Sequence, residues 1–355
     1  MADSRIVQLA DTLVHHSIEV KQGERVLLMG STVAEPLLKE VYRTILQAGG
    51  LPITQFTLPG ELRILLDEGN EQQLTDLPFE EWAFHHVDAL IQVVAPANTK
   101  ELTGIDMNKL QLRQKAFEPL SQRLMTDQIR WVVTQFPTNA GAQDAEMPLE
   151  QYEDFVYGAT NVDYAKLKET MEEAAAYFNK ASKVRVVAEG TDITVDIEGR
   201  EAVISYGKRN VPDGEFFYTP NHLKTEGCIY YDWPALIGGR EVQGIRLVFK
   251  EGKVVEASAE KGDDYLQQML ETDEGARYLG ELGIGTNFGI AKPTKSVLFD
   301  EKIGGSVHMA LGNAYKKAGE GNKSAIHWDM VKNLKDGGEI YLDGRLIQKS
   351  GEWVY

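Results

Sequence analysis

The sequence contains little cysteine and no long apolar stretch. Cys228 is the single cysteine among 355 residues, which excludes an internal disulfide and fits a reducing compartment. No apolar run reaches the roughly 18 residues that a membrane-spanning helix needs. Residues 1–20 carry acidic side chains and lack the apolar segment of a signal peptide. We therefore expect a cytoplasmic protein with no membrane partner.

Positive charge is scarce as well. Lysine and arginine number 37 against 54 aspartates and glutamates, which gives a formal net charge of −17. Nucleic acids and anionic membrane surfaces require a basic surface, so neither is expected as a partner. An acidic chain is compatible with metal ions or with a cationic group such as a free amine, although solubility alone also explains the charge.

Several familiar catalytic motifs are absent. No G-x-G-x-x-G follows the first predicted strand, and no G-x-x-x-x-G-K-[ST] phosphate loop occurs. The H-E-x-x-H zinc motif and the G-x-S-x-G nucleophile elbow are missing too. Nucleotide binding and serine hydrolase chemistry of these common types are therefore not expected.

Residues 1–182 alternate between helix and strand patterns, which predicts a mostly parallel sheet covered by helices. The predicted helices are 3–16, 31–48 and 163–181, and the predicted strands are 24–30, 52–58, 89–95 and 130–136. Ser31 or Thr32 is the expected N-cap of the second helix. This half is assigned as an α/β N-terminal domain.

Residues 183–355 have a different pattern, with short alternating strands and tight turns. Hairpin turns are predicted at residues 250–253 and at Asp343-Gly344. One helix is expected within residues 263–281. The second half is therefore assigned as a β-rich α+β domain, with the boundary between 182 and 183.

The stretch "NKSAIHWDM", residues 322–330, places two metal-binding residue types in an apolar segment. If it forms a strand, His327 and Asp329 share one face, and Trp328 and Met330 share the other. A histidine and an aspartate are unusual on the polar side of a strand. They form either an ordinary solvated face or half of a metal site.

Other metal-binding residue types occur nearby in the sequence. His308 lies in "GGSVHMALGNAY", where it faces small side chains as a strand, or shares a helical face with Tyr315. Carboxylates in unusual settings are Glu215, Glu281, Asp300 and Glu301. Oxygen and imidazole donors suit divalent ions such as Zn²⁺, Co²⁺ or Mn²⁺, and four carboxylates balance two of them. Spacing alone makes these residues candidates only.

Five segments, in this order, resemble the thermophilic metallo-aminopeptidase family typified by aminopeptidase T. They are "VPDGEFFYTP", "FKEGKVVEASAEKGDDYL", "LGELGIGTN", "FDEKIGGSVHMALGNAY" and "NKSAIHWDM". Together they span most of residues 205–330. The resemblance implies a Rossmann-like α/β domain followed by a β-rich domain that carries a dinuclear metal site.

The resemblance also implies roles for individual residues. Two divalent ions (Zn, Co, Mn or Mg) would be bound by Glu215, Glu281, Glu301, His308, His327 and Asp329. Glu281 would bridge the ions, and Asp300 could replace Glu301 as a ligand. Tyr315 would stabilise the reaction intermediate, and Glu301 or Glu215 would transfer the proton. The expected protein is a homodimeric aminopeptidase that removes N-terminal residues, including leucine, from short peptides with a free N-terminus.

Two other functions fit the same residues. A dinuclear metal hydrolase could act on a phosphoester or another amide, and it would be favoured by a lysine near the ions, such as Lys302 or Lys323. A non-catalytic α/β binding protein would simply expose the acids and histidines. A binding protein of this kind would not bind metal ions tightly.

Overall fold

A computed structural model describes residues 3–237, 239–315 and 318–355. Lys316 and Lys317, which lie between His308 and His327 in the sequence, are outside this range. The chain divides into two compact units, Met1–Asn161 with Gly207–Val211, and Val162–Tyr206 with Pro212–Tyr355. Among the described helices, none combines the length and apolar character required to cross a membrane.

The α-helices are α1 (Ser4–Asp11), α2 (Glu35–Gln47), α3 (Glu61–Glu68), α4 (Glu71–Thr75), α5 (Pro78–His86), α6 (Met107–Met125), α7 (Asn139–Asp144), α8 (Leu149–Thr160), α9 (Tyr164–Phe178), α10 (Asp263–Leu270) and α11 (Val297–Asp300). A π-helical segment (Thr12–Ser17) continues α1, and short 3₁₀ turns are formed by Thr32–Ala34, His222–Lys224 and Glu274–Arg277.

The strands are β1 (Arg25–Ser31), β2 (Leu51–Thr57), β3 (Ala89–Val94), β4 (Arg130–Gln135), β5 (Lys183–Ala188), β6 (Thr191–Asp196), β7 (Val203–Ser205), β8 (Asn210–Val211), β9 (Glu215–Tyr218), β10 (Glu226–Tyr231), β11 (Ala235–Ile237), β12 (Arg240–Val242), β13 (Ile245–Lys250), β14 (Lys253–Ser258), β15 (Leu279–Gly285), β16 (Ser306–Gly312), β17 (His327–Asn333), β18 (Glu339–Leu342), β19 (Arg345–Lys349) and β20 (Glu352–Trp353).

The first unit contains a parallel five-stranded sheet in the order β2-β1-β3-β4-β8. The apolar centre of β1, Val26–Leu28, is fully buried, as expected for a strand in a sheet covered on both faces. Ser31 accepts a hydrogen bond from the Val33 amide and caps the turn that leads into α2. The predicted α/β architecture and the predicted Ser31 cap are confirmed.

The unit boundary differs from the predicted one between 182 and 183. The first unit ends at Asn161, and the later segment Gly207–Val211 returns to it as strand β8. Helix α9 belongs to the second unit because Met171, Ala174 and Phe178 are part of the second unit's hydrophobic core. The unit to which α9 belongs depends on where its apolar face packs. The change from helix to strand pattern near residue 182 does not show this.

The second unit is β-rich and antiparallel, as predicted. One sheet has eight strands in the order β14-β13-β10-β6-β5-β18-β19-β20, and another has five in the order β17-β16-β15-β9-β7. Strands of both sheets contribute to one hydrophobic cluster, for example Val186 and Ile193 from the first and Leu282 and Met309 from the second. The hairpins β13–β14 and β18–β19 confirm the two predicted turns.

One helix lies within residues 263–281, as predicted. It ends at Leu270, and Leu279–Gly285 is strand β15. The strand segment contains three glycines, which disfavour a helix, and its backbone is paired on both sides in the sheet. The apolar run "SVLF" suggests a strand that ends at Asp300 and Glu301, and this is wrong, because the segment forms the short helix α11 (Val297–Asp300).

Candidate metal centre

In the second unit, one face of the sheet β17-β16-β15-β9-β7 carries five of the six predicted ligands. Glu215 lies on β9, Glu281 on β15, His308 on β16, and His327 and Asp329 on β17. The pairing places each of them on the same face, because His308 lies opposite Gly283, Asp329 opposite Ala310, His327 opposite Gly312 and Glu215 opposite Gly285. The strand interpretations of His308 and of residues 327–330 are therefore confirmed.

The opposite face of this sheet forms part of the hydrophobic core. Phe216, Leu282, Met309, Trp328 and Met330 are buried there. Trp328 and its neighbours thus explain why the segment is apolar, while the alternate residues face the other way.

A bulge in β15 lies next to Glu281. The register of β15 against β16 shifts between Leu279 and Glu281, so that Leu279 faces Leu311 and Glu281 faces Ala310. Glu281 alternates regularly with Gly283, which lies opposite His308, and therefore shares the face of His308. The extra residue, Gly280, turns Leu279 to the core face. A Cβ on Gly280 would lie 2.4 Å from the Asn313 carbonyl oxygen, so glycine is required at the bulge.

The donor atoms form two groups that share Glu281. His308 Nε2 lies 3.2 Å from Glu215 Oε2 and 3.2 Å from Glu281 Oε1. His327 Nε2 lies 3.3 Å from Asp329 Oδ2 and 3.6 Å from Glu281 Oε2. Within each group, one atom from every residue lies within 4.8 Å of the others. The two carboxylate oxygens of Glu281 therefore face different groups.

Glu301 completes the cluster, and Asp300 does not join it. Glu301 forms a further donor group with His308 and Asp329. Both carboxylate oxygens of Asp300 accept hydrogen bonds from the Thr294–Lys295 loop, including the Thr294 amide at 2.7 Å and the Lys295 amide at 2.9 Å. Asp300 therefore anchors a loop, and burial raises the pKa of its carboxyl to about 7. Of the two acids, Glu301 is the one positioned for a ligand role.

Lys302, one of the two lysines considered near the ions, is not a surface residue. Its side chain is fully buried, and its ammonium lies 3.4 Å from Glu215 Oε1 and in contact with Glu301. Lys323, the other lysine considered, is exposed. No periodicity in the sequence distinguishes the two, because burial of Lys302 depends on how β9 and the α11 segment meet.

Several polar atoms in the cluster are buried without a hydrogen-bond partner. They are Glu215 Oε2, Glu281 Oε2, Asp329 Oδ1 and His308 Nδ1. Buried polar atoms normally have partners, and unpaired ones in a cluster of oxygen and imidazole donors suit a divalent cation. His327 is oriented in the manner of a metal ligand, because its Nδ1 donates to the Asn313 carbonyl at 2.7 Å and leaves Nε2 facing the carboxylates. The residues present fit divalent metal ions.

Without ions, the pKa values of the cluster show how its charges compensate one another. Burial would lower the pKa of His327, but Asp329 outweighs burial and raises it to about 9. Burial would likewise lower the pKa of His308, and Glu215 and Glu281 keep it above its ordinary value. Burial raises the pKa of Glu281. Protonated imidazoles thus supply positive charge at the place where ions would supply it.

Tyr315 lies at the edge of the cluster. Its ring centroid is 4.7 Å from that of His327 and 5.8 Å from that of Phe217. The backbone around it is fixed by Asn322, which donates to the Gly312 carbonyl at 2.7 Å. Tyr315 is 48% exposed, and the partial burial of its hydroxyl and then the nearby carboxylates raise the pKa of that hydroxyl, which therefore remains a hydrogen-bond donor at neutral pH.

A narrow cavity of about 20 Å³, room for about one water molecule, adjoins the cluster. Glu301 and Asp329 contribute to its wall, and most of its other lining residues are apolar. These apolar residues are Pro234, Ala235, Leu236, Val297 and Val331. Apolar side chains therefore lie next to the candidate ligands.

The family model for thermophilic metalloproteases (M29) matches residues 2–353. The chain belongs to this family. This confirms the predicted family and, with it, a metal-dependent hydrolase of the aminopeptidase type.

The relatives have consistent names. The chain is 29% identical to aminopeptidase T of Thermus thermophilus, over 74% of this chain and 75% of that protein. It is 24% identical to aminopeptidase AmpS of Bacillus subtilis, over 91% and 87% of the two chains. The structure of AmpT from Thermus thermophilus superposes with a TM-score of 0.85 at 24% identity, over 99% of each chain, which shows the same fold.

Proposed function

We propose that this metallo-aminopeptidase uses two divalent ions (Zn, Co, Mn or Mg) to release N-terminal residues, leucine among them, from short peptides. The observation that supports two ions is the pair of donor groups that share Glu281. Each group combines carboxylate oxygens with an imidazole nitrogen, and the groups are largely buried. One ion per group, with Glu281 between them, uses the unpaired atoms of the cluster.

The ligand assignment follows the two groups. Glu215, Glu281 and His308 would hold one ion, and Glu281, His327 and Asp329 the other. Glu301, which lies near both His308 and Asp329, would complete the coordination. When bound, such ions polarise a carbonyl oxygen and lower the pKa of a water molecule that attacks it.

Two side chains are proposed to act on the substrate directly. The Tyr315 hydroxyl, kept protonated by its surroundings, would donate to the oxygen of the scissile carbonyl as negative charge develops there. Glu301 lies at the wall of the cavity and would pass a proton to the leaving amine. Glu215 remains the alternative for that proton transfer.

The surroundings favour a peptide N-terminus as the substrate. The carboxylates of the cluster attract a free α-amine, and the apolar residues Ala235, Leu236 and Val331 lie beside two of them, Glu301 and Asp329. Leucine fits this chemistry. The homodimer and the preference for short peptides come from the family resemblance, the cytoplasmic location comes from the sequence composition, and all three remain predictions.

The phosphoester alternative depends on a lysine near the ions. Lys302 lies there, but its ammonium is fully buried and paired with Glu215 and Glu301. The relatives are named aminopeptidases, which favours a peptide substrate.

The test is hydrolysis of leucine p-nitroanilide by protein stripped of metal, before and after Co²⁺ or Zn²⁺ is added back. N-acetyl-leucine p-nitroanilide and p-nitrophenyl phosphate are assayed beside it. Activity that returns with metal, and only toward the free amine, is the expected result. Equal activity on the acetylated substrate, or activity on the phosphoester alone, would contradict the proposal.

A further inference from the structure

Lys302 is a cation buried inside a cluster of carboxylates. Its side chain has no solvent exposure, and its Nζ contacts Glu301 and lies 3.4 Å from Glu215. A lysine is rarely buried so completely, because removing the ammonium from water is costly unless it is paired. Its partners are two of the proposed ligands, so the lysine belongs to the site although an ammonium cannot bind a metal ion.

The main chain of Lys302 is held on both sides. Its amide donates to the Phe299 carbonyl at 3.0 Å, and its own carbonyl accepts from the Asn287 amide at 3.0 Å. Just before it, the Asp300 carboxylate anchors the Thr294–Lys295 loop. The ammonium is therefore placed by fixed backbone, and its position does not depend on a flexible surface segment.

The two partners of Lys302 belong to different donor groups. Glu215 groups with Glu281 and His308, whereas Glu301 groups with His308 and Asp329. The ammonium therefore lies next to one carboxylate from each group. It offsets the mutual repulsion of the two carboxylates when no ion is bound.

The lysine also changes the charge of the loaded site. Four carboxylates (Glu215, Glu281, Glu301 and Asp329) neutralise two divalent ions when both histidines are neutral ligands. The ammonium then leaves one positive charge, which is neutralised when one singly charged anion binds. An anionic species in this low-dielectric environment is stabilised by that extra charge.

We propose that Lys302 is a positioning residue that holds Glu215 and Glu301 and makes the metal-loaded site selective for an anion at the reacting position. The inference rests on the proposed function, because it requires that ions occupy the cluster. Selectivity for an anion favours the negatively charged tetrahedral species over the neutral peptide, which is the difference on which catalysis depends.

The test compares two ligands with the same side chain and different charge. The phosphonic acid analogue of leucine carries an anionic tetrahedral group, and leucinol carries a neutral hydroxyl in its place. Their affinities for the metal-loaded enzyme are measured by calorimetry, after metal content has been determined by elemental analysis. Lys302→Met should weaken phosphonate binding by about tenfold or more and leave leucinol binding within about threefold. Lys302→Arg, which keeps the charge, should restore most of the phosphonate affinity.

The control is Lys332→Met. Lys332 is also buried, on the core side of β17, but its partner is Asp232 at 3.5 Å, outside the cluster. Loss of a buried lysine there should leave the ratio of the two affinities unchanged. Lys302→Gln is measured as a second neutral variant in case methionine impairs folding.

The outcomes separate the two proposals. A wild-type protein that binds no divalent ions would contradict the proposed function itself. Wild-type protein that binds ions, with neutral Lys302 variants that weaken both ligands equally or neither, would overturn the role of Lys302 alone.

Discussion

The imidazole of His308 occupies the space that a side chain on Gly283 would fill. The two residues lie opposite each other on β16 and β15, and a Cβ on Gly283 would lie 2.0 Å from His308 Cε1 and 2.1 Å from Nε2. His308 is fully buried. The absence of a side chain on one strand therefore makes room for the donor on the next.

Gly283→Ala should displace His308 and reduce metal binding. The added methyl group overlaps the ring, and the buried ring must move to accommodate it. We expect metal affinity to fall about 10- to 100-fold, the usual effect of disturbing the support of a ligand. Metal titration by calorimetry measures it. Gly158→Ala is the control, because a Cβ there contacts nothing within 4 Å; equal effects from both substitutions would contradict the explanation.

Asp300→Asn and Glu301→Gln should have different effects. Asp300 accepts hydrogen bonds from the Thr294 and Lys295 amides, so its amide variant should lower the free energy of unfolding by about 1–3 kcal/mol and keep two bound ions. Glu301→Gln should lower metal affinity by about tenfold or more. Thermal unfolding and metal titration of both variants measure these effects. The reverse pattern would make Asp300 the ligand.

Metal affinity should rise with pH, because ions displace a proton from His327. The pKa of about 9 in the metal-free protein means that the imidazole is protonated at pH 7. Its folded-state pKa exceeds the ordinary value of about 6.5, so the proton stabilises the metal-free fold at neutral pH, and this contribution is lost as the pH rises through about 9.

Binding an ion requires the neutral imidazole, so affinity should increase about tenfold per pH unit for this proton between pH 7 and about 9. Calorimetry in buffers of different ionisation enthalpy counts the released protons. Binding without proton release at pH 7 would contradict the assignment of His327.

Tyr315→Phe should slow the reaction without loss of metal. Removal of one donor to the developing oxyanion costs about 10²- to 10³-fold in kcat, and KM should change little. Steady-state kinetics and elemental analysis measure both properties. Tyr341→Phe, whose hydroxyl bonds Glu339 in the eight-stranded sheet, should keep full activity. If kcat is unchanged in Tyr315→Phe, the hydroxyl has no role in the chemical step.

Local patterns predicted the parts of the fold that depend on neighbours in sequence. Alternating strands and helices predicted the parallel sheet of the first unit, and turn residues predicted the hairpins β13–β14 and β18–β19. The two-residue period of a strand placed His327 and Asp329 on one face. The resemblance to a known family supplied the remaining candidates, which the fold brings together.

Tertiary contacts determined two features of the fold that the local sequence pattern did not predict. The helix predicted within 263–281 is confined to Asp263–Leu270, and Leu279–Gly285 is a strand because its backbone forms hydrogen bonds on both sides within a sheet. Helix α9 belongs to the second unit because its apolar face packs into that core. These outcomes depend on contacts between distant residues, which outweigh local propensity.

The sequence by itself determined which residue types are available for a metal site and which of them alternate on one strand. It did not determine that Glu281 lies beside His308, because that depends on the pairing of β15 with β16. It did not distinguish Asp300 from Glu301 or reveal the burial of Lys302. In each case the direction and environment of a side chain are set by partners far away in the chain, and only the folded structure brings those partners into contact.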